Sequence, residues 1–117
     1  MRYTQVMALA LIVLASTDTA FANGQVTGAH IIRLQINTTV GNYVFIQTDM
    51  VPPTPASCST NGLWQFTLPL TNASSAQIYA GLVSAYTART PVMLLGMGAC
   101  NEFFSVESLA AFELSPQ

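Results

Sequence analysis

Residues 63–100 read LWQFTLPLTNASSAQIYAGLVSAYTARTPVMLLGMGAC, and within them the hydrophobic period changes twice. Leu63 to Leu70 alternates, with Trp64, Phe66 and Leu68 on one face, which predicts a strand. Pro69 sits at its end, where a lost ladder donor is tolerated. The period then lengthens to about 3.6 residues. Asn72 or a following serine caps a helix running to Arg89, with Ile78, Leu82, Val83 and Tyr86 as its apolar stripe. Thr90-Pro91 ends it, because a residue before proline is driven out of the helical region. Val92 to Met97 is a compact apolar run suited to a buried strand, and Gly96 and Gly98 suggest a bulge or a close approach.

Upstream, Val26 to Asn37 carries Ile32, Leu34 and Ile36 in alternation with Arg33, Gln35 and Asn37, the pattern of a first strand with one wet face. Turn residues fill Thr38 to Asn42, and Tyr43 to Gln47 is a β-branched and aromatic second strand, so the pair reads as a hairpin. Pro52, Pro53 and Pro55 then forbid regular pairing, which makes Val51 to Gly62 a surface loop carrying Cys58. Downstream, Phe104 to Leu114 is read as a short turn followed by a strand, although Val106, Leu109 and Phe112 also carry a helical spacing. The chain is thus mainly β with one helix, in the order β-β-β-α-β-β. That order matches an OB-fold, a five-stranded barrel with its helix between the third and fourth strands. An open α+β sheet with the helix on one face is the alternative.

The first 22 residues have the layout of a secretory signal: Arg2, an apolar run from Val6 to Ala15, and the small-residue site Ala20-Phe21-Ala22. The run is half the length of about 20 residues needed to span a bilayer. Residues 1–22 are therefore read as a signal peptide and 23–117 as a single domain, secreted or periplasmic and without membrane insertion after cleavage. A domain of about 95 residues hides only some two thirds or less of its unfolded surface, so a cross-link helps. Cys58 and Cys100 are the two cysteines, and in an exported chain such a pair is read as a disulfide.

Charge excludes several partners. Past residue 22 the strong cations are Arg33 and Arg89, there is no lysine, and the acids are Asp49, Glu102, Glu107 and Glu113. No basic stripe exists to neutralise phosphates, so nucleic acid is excluded, and anionic membranes are disfavoured for the same reason.

Chemistry-bearing motifs are scarce. His30 is the sole histidine and reads as an ordinary strand-end residue; no nucleophile-elbow, zinc-protease or phosphate-loop pattern is present. Glu102 and Glu107 read as solvated carboxylates, and Met93 and Met97 as core packing. No catalytic group, cofactor or metal is implied, and the chain is read as a non-enzyme. Tyr43, Trp64 and Tyr79 are the aromatics suited to stacking on a sugar, with core packing as the competing role for Trp64.

The segment Cys58 to Cys100, with Trp64 six residues after the first cysteine, the Ser75 to Tyr86 helix and the run Val92 to Cys100, resembles small exported bacterial proteins similar to the subtilase cytotoxin B subunit. The hairpin His30 to Thr48 is similar in pattern. The resemblance implies an OB barrel, pentameric rings and binding of sialylated glycans. That family's glycan site uses hydroxyl and acidic residues near the first strand, where Thr27 is the nearest hydroxyl here. The expected function is a toxin-like, carbohydrate-binding module whose ligand contacts are Thr27, Tyr43 and Trp64. The alternative is a structural or protein-interaction subunit of an exported assembly.

Overall fold

The computed structural model describes residues 22–115, so the expected signal peptide lies almost wholly outside the described residues. The elements are β1 (Gln25–Ala29), β2 (Ile31–Ile36), β3 (Tyr43–Thr48), β4 (Phe66–Pro69), α1 (Ala73–Ala88), β5 (Val92–Gly96) and β6 (Glu107–Leu114). They form one sheet in the order β1-β5-β6-β4-β3-β2, in which β4 and β6 pair in parallel and every other neighbour pairs antiparallel. The two outer strands are joined through His30 alone, so the sheet begins and ends on two halves of one bent strand. The result is a mainly β, OB-fold-like curled barrel with one helix.

Six strands stand where five were expected, because the first strand is broken. Gly28 adopts a left-handed φ of 71°, and the register shifts between Thr27 and Ala29. Such a bulge bends a strand sharply. A second shift, between Ile31 and Arg33, re-aims the side chains that follow. Ile31 is therefore in the core, Leu34 is half-buried against it, and Ile32 and Ile36 of the expected inward face are exposed.

The barrel interior is aliphatic around Phe66: Val26, Val44, Ile46, Leu68, Val92, Leu94 and Leu109 are all buried there. At about 25 cal/mol per Å2 of apolar surface, each large side chain contributes roughly 1.5–3 kcal/mol. Asn72 caps α1, its Oδ1 accepting from Ser75 N at 2.8 Å. The helix buries Ser75, Leu82 and Ala85, with Ile78 and Tyr79 half-buried against the core, whereas Val83 and Tyr86 of the expected stripe are exposed. Packing is close, since a Cβ on Gly81 would meet the Phe112 ring at 2.5 Å.

A second cluster sits on the opposite face of β3. Val44 and Ile46 point inward, so Tyr43 and Phe45 point away, where they meet Trp64, Val106 and Phe103. Phe45 is the hub, with ring centroids 5.2 Å from Tyr43, 5.3 Å from Trp64 and 5.2 Å from Phe103. Trp64 thus leaves the face it was expected to share with Phe66 and Leu68. Regular pairing starts only at Phe66, and Asn61 Oδ1 accepts from Leu63 N and Trp64 N, which turns the chain before the strand begins. The Cys58–Cys100 disulfide, with Cα atoms 6.1 Å apart, ties the two irregular segments that cover this cluster. Thr60 N and Asn61 N both donate to Ser105 O beside it.

Candidate functional site

A cleft of about 660 Å3 is lined by His30, Ile31, Ile32, Tyr86, Thr87 and Arg89, where the strand bend meets the end of α1. Each wall follows from local structure. Arg89 is the C-terminal cap of the helix, with φ 54° and ψ 37°. Glycine is the usual occupant of such a position, and a side chain there costs about 1–2 kcal/mol. A strained backbone of this kind points toward a role for the side chain it carries. On the other wall, His30 and Asp49 lock each other: Asp49 Oδ1 accepts from His30 N at 2.7 Å, Asp49 N donates to His30 O at 3.0 Å, and Oδ2 lies 3.1 Å from His30 Nδ1.

Chemically, the cleft offers guanidinium donors, an imidazole aligned by a carboxylate, and a half-exposed tyrosine ring beside the apolar Ile32. Thr87 Oγ1 donates to Val83 O at 2.9 Å. Among the described residues no hydroxyl or thiol bonds the second ring nitrogen of His30, so the imidazole–carboxylate pair has no nucleophile aligned to it. Arginine recognises carboxylates in a bidentate fashion, and an aromatic ring covers an apolar face. No group of three or more His, Cys, Asp or Glu among the described residues is arranged to hold a metal ion.

The three residues expected to touch ligand are not brought together. Thr27 is exposed on β1, accepts from Gln25 Nε2 at 3.3 Å, and lines a separate hollow of about 340 Å3 with Met50, Val51, Pro53 and Thr54. Tyr43 and Trp64 are 7 % and 8 % exposed, with their rings spent on packing around Phe45. What remains of the Trp64 surface faces Arg33, whose guanidinium carbon lies 5.6 Å from the ring centroid. Tyr86 and Arg89, which sequence reasoning assigned to the stripe and the helix end, line the cleft instead. A usable signal was present: an arginine occupies the place before Thr90-Pro91 where a helix stop favours glycine.

The two central carboxylates also depart from the solvated role expected of them. Glu107 is fully buried; its two oxygens accept from Gly24 N, Ala56 N and Gly98 N, each at 3.0 Å. Gly96 admits it, since any Cβ there would overlap the carboxylate. Glu102 Oε2 accepts from Thr67 Oγ1 at 2.9 Å and from Ser108 Oγ at 2.5 Å. Met97, expected in the core, is half-exposed. No family model, curated protein or solved structure matches the chain.

Proposed function

We propose that the protein is an exported, non-catalytic binding module that takes an acidic sugar in the cleft between the strand bend and the end of α1. The observation that carries this reading is concentration of charge. In a chain almost devoid of cations, one of the two arginines past residue 22 and the sole histidine meet at one opening, beside an exposed tyrosine. Arg89 pairs with the sugar's carboxylate, Tyr86 covers its apolar face, and His30 and Thr87 order its hydroxyls. The resemblance to toxin B subunits supports the same class of ligand and a ring-shaped assembly. Export to the periplasm or beyond is supported by the signal-like leader and agrees with the disulfide.

Binding of the processed protein to a glycan array, with its mass in solution measured on the same sample, tests the reading. The informative variant is Arg89→Gly, which removes the guanidinium while supplying the residue that the left-handed cap prefers. It is expected to fold at least as stably as the parent and to weaken acidic-glycan binding by about 10- to 100-fold. Retention of full binding by this variant would remove the cleft from the account. A second reading, an accessory subunit working through protein contacts, is favoured by Phe104, which is 80 % exposed, and Val51, which is 70 % exposed. A folded ring or hetero-assembly that retains no glycan selects it.

A further inference from the structure

We infer that cleavage after Ala22 creates the counter-charge of Glu107, the α-ammonium of Asn23. The inference rests on the export reading and extends it to a consequence of processing for the folded barrel. A fully buried carboxylate is costly unless it is paired or well bonded. The Glu107 cage consists wholly of backbone amides, and the one ion pair among the described residues is His30–Asp49, elsewhere in the molecule. The amides supply hydrogen bonds but no full positive charge, and among the described residues no cationic side chain pairs with Glu107.

Chain geometry places one cation close to Glu107 after cleavage. Gly24 N donates to both carboxylate oxygens, each at 3.0 Å. The nitrogen of the preceding residue lies no more than about 3.7 Å from it through three covalent bonds, and so within about 7 Å of the carboxylate. That is shorter than the Debye length of about 8 Å at physiological salt. The Asn23 side chain lies over Gly98, where a Cβ would meet Asn23 Oδ1 at 2.6 Å, and Gly98 is itself a donor to Glu107. Ala22 and Asn23 are exposed while Gly24 is buried, so the Ala22–Asn23 bond stands outside the barrel. Hydrolysis breaks the Ala22–Asn23 C–N bond and consumes one water. Its oxygen goes to the Ala22 carboxylate, and its hydrogens leave Asn23 with an amine that is protonated at neutral pH.

The test compares the chain beginning at Asn23 with a free amine against the same chain acetylated at that amine, which deletes the charge and little else. At low ionic strength the free form is expected to melt about 2–5 °C higher, as a partly screened pair on a small domain should. The gap is expected to close in about 1 M salt and in the Glu107→Gln background. Equal melting of the two forms at low salt overturns the pairing, as does a gap that persists in Glu107→Gln. Should that variant fail to fold, the salt series decides, a salt-independent gap counting against the pair. Intact mass of the exported protein is the separate check on processing: a start at any residue other than Asn23 overturns the cleavage site, whatever the melting comparison gives.

Discussion

Two hydrophobic clusters share β3, one on each face, and they are held by different means. Inside the barrel, Val44 and Ile46 join apolar residues drawn from all six of the other elements, all on regular strands or the helix. Outside it, Tyr43 and Phe45 join Trp64, Phe103 and Val106, which lie on irregular segments that no strand ladder fixes. Backbone pairing closes the first cluster. The second is closed by a disulfide, by the Ser105 turn contacts and by edge-to-face aromatic geometry. An OB barrel usually leaves the face of its second and third strands open for ligand. Here aromatic rings and a stapled cap occupy much of it, and the cleft lies instead at the C-terminal end of α1.

Removing the centre of the first cluster should have the largest effect. Phe66→Ala leaves a cavity amid residues that cannot collapse, and is expected to cost about 3–5 kcal/mol in urea unfolding. A loss under about 1 kcal/mol would mean that the interior is not the principal core. Next comes the staple. The Cys58→Ser/Cys100→Ser double variant is expected to lose about 2–5 kcal/mol. Its Trp64 fluorescence should change at lower urea than its far-ultraviolet circular dichroism, because the cap loosens before the barrel. Coincident transitions would show instead that the two clusters melt as one unit. The smallest change is Arg33→Ala, which removes a cation from the exposed side of Trp64 and should cost about 0.5–1 kcal/mol while leaving the barrel intact. An effect as large as that of breaking the disulfide would place Arg33 in a tighter network than the ring contact.

The order of elements and the disulfide were legible in the sequence because both depend on local signals, namely period, proline position and cysteine parity. The inward face of the first strand was not. Ile32, Leu34 and Ile36 alternate faithfully, but the bulge at Gly28 and the register shift after Ile31 rotate them, and alternation carries no information about which face is wet on an edge strand. Trp64 was misplaced because its alternation with Phe66 continues through a segment where the backbone is not yet a strand. Tyr86 has helical spacing but lies beyond the arc that the sheet covers, and so lines the cleft. Glu107 was the least legible residue of all. Its cage takes one amide from each of three segments, at Gly24, Ala56 and Gly98, and the farthest of these is 83 residues away.

The vacancy at Gly96 also constrains how this sequence can change by descent. A side chain at 96 and a carboxylate at 107 claim the same volume, and Gly24 leaves the other oxygen little more room. Position 96 cannot change alone: a methyl group at 96 is compatible only with a shorter residue at 107, and a glutamate at 107 requires the glycine. Glutamate at 107 thus carries a requirement at 96 that neither residue reveals when read singly.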